Sequence, residues 1–109
     1  MTTQNFAKQL GLKTLCMPSP EKEVDGVYIG DLLSLVMGKA ESGNVWITIM
    51  SNMNIVAVAT LTDVSAILRT ENVEPDADVL KTANEKGVNI LSTDLSSFDM
   101  ATKITGIIS

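Results

Sequence analysis

The chain reads as an α/β protein of three layers, a mostly parallel sheet of about five strands with helices on both faces. Three observations predict this. Short β-branched runs alternate with helical periodicities along the whole chain. The run Val45-Trp46-Ile47-Thr48-Ile49-Met50 is apolar nearly throughout, which suits an interior strand covered on both sides. The stretch over residues 24–34 is extended and apolar, stops at Gly30, and passes directly into a helix opened by Asp31. A chain of 109 residues can bury one real core and is too short for two, so a single domain over residues 1–109 is expected.

The elements follow in order. Residues 3–11 predict a helix capped by Thr3, with Phe6 and Leu10 on one face and Gly11 as its stop. Residues 13–17 predict a strand halted by Pro18-Ser19-Pro20, and residues 24–29 a second strand in which Gly26 marks a bulge or a close backbone approach. A helix over 31–37 would bury Leu32, Leu33, Val36 and Met37 and end at Gly38. The third strand is 45–50. Residues 54–61 have β propensity by composition, but sequential parallel strands need a crossover, which favours a helix there. A short strand over 65–68, a loop over 69–75 and a helix over 76–86 capped by Asp76 and ended by Gly87 come next. A strand over 88–92 and a final helix over 97–108 complete the pattern.

Composition narrows the functional classes. The hydrophobic share of 45% with 19% charged residues is that of a globular chain, and aromatics are only 4%, so the core is built from Val, Ile, Leu, Ala and Met. The net charge of −5, scattered lysines and a single arginine, Arg69, offer no cationic face to a nucleic-acid backbone. The apolar runs are interrupted before the roughly 20 residues that a membrane helix needs, and no leader pattern opens the chain. The lone Cys16 lies in an apolar context that suits a buried thiol. A soluble cytoplasmic protein is expected, with neither nucleic acid nor membrane as a partner.

Histidine is absent, which removes imidazole catalysis and imidazole metal ligation. One cysteine cannot build a zinc or iron–sulfur site within the chain. There is no phosphate-binding G-x-x-x-x-G-K-[ST] loop and no nucleophile elbow. No catalytic residue, cofactor or metal is therefore predicted. In a parallel sheet, ligands gather outside the carboxyl ends of the strands. Those ends hold Gly30, Asp31 and Ser34; Asn52 and Asn54; Arg69 and Thr70; and Thr93. These are the candidate ligand-binding residues, with backbone N–H groups meeting a small anionic metabolite or nucleotide-like ligand and Arg69 as its counter-charge. The same residues also serve as ordinary helix caps and loops, and Asp31 as a first-turn carboxylate complements the helix dipole. Trp46 is expected in the core or at a subunit contact. In the last helix Phe98, Ala101, Thr105 and Ile108 form one stripe and Met100, Ile104 and Ile107 another, which suggests a homo-oligomer contact, a dimer being favoured, or a partner enzyme or sensor kinase; a terminal helix buried within its own small domain has the same pattern.

The blocks Val27-Tyr28-Ile29-Gly30-Asp31-Leu32-Leu33-Ser34, Val45-Trp46-Ile47-Thr48-Ile49 and Asn54-Ile55-Val56-Ala57-Val58-Ala59 resemble the DRTGG domain family over nearly the whole chain. The family is similar in fold to the N-terminal domain of HPr kinase/phosphorylase and to the small uridine-nucleotide-binding domain of some muramyl ligases. It also occurs beside cystathionine-β-synthase-type domains and within phosphotransacetylases, where it looks regulatory. The resemblance implies a helix over 54–62 and a non-catalytic regulatory or ligand-sensing role, without kinase activity. The segment that names the family aligns with Leu68-Arg69-Thr70-Glu71-Asn72. Arg-Thr is kept, while Glu71 and Asn72 replace two glycines, removing unrestricted positive-φ geometry and adding a negative charge.

Overall fold

A computed structural model describes residues 1–73 and 75–108; Glu74, within the expected 69–75 loop, and Ser109, the end of the expected domain, lie outside the described residues. The elements are α1 (Thr3–Leu10), β1 (Lys13–Cys16), β2 (Gly26–Ile29), α2 (Leu33–Lys39), β3 (Asn44–Thr48), α3 (Asn54–Thr62), β4 (Ala66–Arg69), α4 (Ala77–Lys86), β5 (Ile90–Ser92) and α5 (Ser97–Ile104). The sheet order is β1-β5-β4-β3-β2; β5, β4, β3 and β2 run parallel and β1 closes one edge antiparallel to β5.

Side-chain alternation sorts the buried residues into two layers. Trp46, Ile67 and Ile90 face one side, where Val36 of α2, Ile55 of α3 and Val79 of α4 cover them. Val45, Ile47, Leu68 and Leu91 face the other, under Phe6 of α1 and Met100 of α5. Burying such a side chain fully is worth roughly 1.5–3 kcal/mol. These two layers are why β3 and β4 read as nearly unbroken apolar runs. The helix over residues 54–62 is apolar on all sides and follows β3 as the required crossover. Among the described residues no helix is long and apolar enough to cross a membrane.

Several boundaries differ from the sequence expectation. Thr2, not Thr3, caps α1 by accepting from the Asn5 N–H at 3.2 Å; Thr3 is buried and its hydroxyl donates to the Lys22 carbonyl. Gly26 marks a close approach rather than a bulge. Its register with Asn44 is regular, and a Cβ there would stand 3.0 Å from the Asn44 side-chain Nδ2, so the neighbour is a side chain and not backbone. Helix α2 begins at Leu33 and runs through Gly38, and Leu32 and Met37 are 61% and 51% exposed instead of inward. Asp31 does not cap α2, because its carboxylate is engaged by the end of β3. Asp76 occupies the cap position of α4 but makes no capping hydrogen bond. Helix α5 is capped by Ser96 and ends at Ile104, with Ile107 and Ile108 following in a turn. Its Met100 and Ile104 stripe is core, and Phe98 is left outside at 76% exposure. Arg69 is the last residue of β4, not part of the loop, since its register with Thr48 and Ser92 continues the ladder.

Candidate functional site

The carboxyl ends of β2, β3, β4 and β5 form one polar edge. At its β2 end, the Trp46 indole N–H donates to the Gly30 carbonyl at 2.8 Å, fixing the joint between β2 and α2. Asp31 then reaches across to β3, where one carboxylate oxygen accepts from the Thr48 hydroxyl at 2.6 Å and from the Ile49 N–H at 3.1 Å. The Thr48 hydroxyl in turn accepts from the Met50 N–H at 3.2 Å. Ile49 therefore leaves the sheet under side-chain control, which ends β3 earlier than residue 50.

Arg69 holds the other side of Ile49. Its Nη2 donates to the Ile49 carbonyl at 2.7 Å. The side chain is wholly buried, and its Nε and Nη1 have no hydrogen-bond partner. A sequence reading places Arg69 on an exposed rim; the structure places it inside, at the end of a strand that is buried along its length. Burial pulls the guanidinium's pKa below its ordinary value, and the charge of Asp31 opposes that pull. Unpartnered buried donors on a charged group are costly, and each one in a native fold calls for a physical cause.

The β4 and β5 exits are tied together. The Thr93 N–H donates to the Arg69 carbonyl and the Asn72 N–H to the Thr93 carbonyl, both at 2.9 Å, and the Glu71 N–H donates to the Leu95 carbonyl at 2.9 Å. The Thr70 and Ser97 hydroxyls lie 3.2 Å apart, and the Thr93 hydroxyl accepts from the Leu95 N–H. Glu71 and Asn72 have φ of 63° and 54°, so the left-handed geometry survives without glycine. That corrects the expectation that losing the glycines removes it. Asn pays little for this conformation and Glu more.

The structure thus brings together Asp31, Arg69, Thr70 and Thr93 and, through Trp46, Gly30. It does not bring in the rest. Ser34 is exposed in the first turn of α2. Asn52 spends its side-chain oxygen on the Asn54 N–H at 2.9 Å, and both serve the start of α3. Sequence reasoning missed Thr48 and Ser92. Both lie two residues beyond core positions, Trp46 and Ile90, and so face the same side as Arg69. Among the described residues no group of three or more His, Cys, Asp or Glu side chains could hold a metal ion. The Cys16 thiol is buried and its pKa is raised by desolvation, so it lacks the character of a nucleophile.

The model of the DRTGG domain family matches residues 5–107. The chain belongs to the DRTGG domain family. The match includes the segment Arg69-Thr70-Glu71-Asn72, in which Glu71 and Asn72 hold positive φ. A solved structure of similar fold is that of the CBS and DRTGG domains of the regulatory region of Clostridium perfringens pyrophosphatase, complexed with the activator diadenosine tetraphosphate. It matches with a TM-score of 0.70 at 16% identity, over 90% of this chain and 43% of that one, so this chain spans less than half the length of that structure. No curated protein matches the chain.

Proposed function

We propose that this DRTGG-family protein is a non-catalytic regulatory module that senses a small anionic metabolite or a nucleotide and works as a homo-oligomer in the cytoplasm. The observation that carries the reading is Arg69: a buried guanidinium at the carboxyl edge of a parallel sheet, with two nitrogens unpartnered. Such a group is costly for folding alone and valuable for recognising an oxyanion. The family membership and the likeness to a regulatory region that was crystallised with a nucleotide activator support it. The candidate contacts are Arg69, Thr70 and Thr93, with Gly30 and Asp31 positioning the β3 exit; Ser34, Asn52 and Asn54 stay as outer-rim candidates.

Thermal unfolding with millimolar AMP, ATP, diadenosine tetraphosphate and phosphorylated metabolites tests this. A ligand at a hundred times its Kd adds about 2.7 kcal/mol of stability, a rise of several degrees for a domain of this size. Unchanged midpoints with every compound would overturn the reading.

A second reading, docking on a partner protein, draws on the surface around β2 and α2. Among the described residues β2 pairs only with β3, and Ile29, Leu32, Leu35, Met37, Ile49 and Met53 are exposed close by in the chain. The same patch serves self-association. Light scattering after size exclusion is expected to give a dimer that Leu35→Glu converts to monomer. A wild-type monomer that also retains no protein from a lysate of the native host counts against both.

A further inference from the structure

The carboxyl edge has an inner tier. Thr48, Arg69, Ser92 and Lys13 stand in register across β3, β4, β5 and β1, at strand spacings of about 4.8 Å. Thr48 is engaged by Asp31, and Arg69 Nη2 by the Ile49 carbonyl. On the two neighbouring positions between Thr48 and Lys13, three buried polar atoms have no partner: Arg69 Nε, Arg69 Nη1 and Ser92 Oγ. Ser92 is 1% exposed. Together with Lys13, Asn72, Thr93 and Asp94 it lines a cavity of about 270 Å³ that adjoins the left-handed turn at residues 71–72.

We propose that Ser92, on the inner wall of this cavity, and Arg69, its neighbour on β4 just behind that wall, form an oxyanion subsite that takes the phosphoryl or carboxylate group of a ligand. The proposal rests on the anionic-ligand reading above and assigns it specific atoms. Arg69 supplies charged N–H donors, Ser92 a hydroxyl donor, and Lys13 a second positive charge in the same row. The cavity lies below the roughly 300–1,000 Å³ of sites that enclose a whole small molecule. It holds one anionic head and leaves the remainder of a larger ligand outside. Asp31 already balances Arg69 electrostatically, and Asp94 lines the cavity, so the fit is to a compact oxyanion of low charge.

Arg69 is the chain's only arginine, so an ¹⁵N-labelled sample gives a single arginine Nε–H correlation. Titration of the full chain with inorganic phosphate and with acetate is expected to shift that signal saturably, while chloride at matched ionic strength does not. Ser92→Ala is expected to weaken the effect about ten-fold, the loss of one hydrogen bond to an ion, with the thermal midpoint nearly unchanged. A signal that ignores both anions, answers chloride equally, or saturates identically in Ser92→Ala overturns the subsite. If nucleotides stabilise the chain while the Arg69 signal stays still, the subsite fails and the sensing role survives. If the signal responds saturably and no nucleotide or phosphorylated metabolite stabilises the chain, the subsite stands and the wider reading fails.

Discussion

Arg69 ends β4 and Asp31 lies two residues beyond the end of β2, parallel strands separated only by β3, and the fold treats them in opposite ways. Asp31 is exposed, yet one of its oxygens already accepts from the Thr48 hydroxyl and the Ile49 N–H. Arg69 is buried, yet two of its three guanidinium nitrogens are unpartnered. They clasp the same residue through its two flanking peptides, one taking the Ile49 N–H and the other donating to its carbonyl. Exposure is therefore a poor guide to availability here. The accessible carboxylate is spent on structure, and the inaccessible guanidinium keeps its hydrogen-bonding capacity in reserve.

Arg69 gives the largest effect that could break this contrast. Arg69→Ala removes the donor to Ile49 and leaves a cavity, and is expected to cost about 2–5 kcal/mol in denaturant unfolding. Arg69→Met fills the same space without a buried charge and is expected to lie within about 1.5 kcal/mol of the wild type, on either side. Ligand stabilisation should vanish in both. A Met variant as unstable as the Ala variant would make Arg69 a structural residue and nothing more.

Asp31 comes next. Asp31→Ala loses two hydrogen bonds to an ionised acceptor and is expected to cost about 1.5–3 kcal/mol. Asp31→Asn keeps an acceptor oxygen for Thr48 and Ile49 and should cost under about 1 kcal/mol. Its distinct effect is electrostatic: without the carboxylate, Arg69 loses its balancing charge, so the affinity for an anion should rise. An Asn variant that binds anions more weakly than wild type would contradict the division of roles.

The sequence and the structure agree where a pattern is local. Alternating apolar runs announce β3 and β4, Gly11 and Gly87 announce helix ends by taking left-handed φ, and the need for a crossover identifies α3. They part where a residue has two physically equivalent uses. A carboxylate just ahead of a helix suits a cap or a clasp on the neighbouring strand, and only the Asp31–Thr48 distance separates them. The antiparallel direction of β1 depends on how residues 17–25 carry the chain from one sheet edge to the other, which no periodicity records. The burial of Arg69 was equally hidden. The residue was legible as a candidate, but only the register shows that it stands between Thr48 and Ser92.

The smallest effect concerns the turn that adjoins the site. Glu71 and Asn72 both hold positive φ, and their N–H groups are bonded to the Leu95 and Thr93 carbonyls. A β-carbon in this region costs about 1–2 kcal/mol, less for Asn, whose side chain tolerates it. Glycine returns part of that gain through the freer unfolded chain, roughly 0.5–1 kcal/mol. Glu71→Gly is thus expected to stabilise by about 0.5 kcal/mol and Asn72→Gly to be neutral, both read from denaturant midpoints. Glu71→Gly also removes a negative charge two residues from Arg69, so phosphate should bind more tightly to it than to wild type. Unchanged phosphate binding with raised stability would confine Glu71 to the backbone. Tighter binding would mean that this chain, in departing from the glycines of its family's namesake segment, has tempered the attraction of its own site for anions.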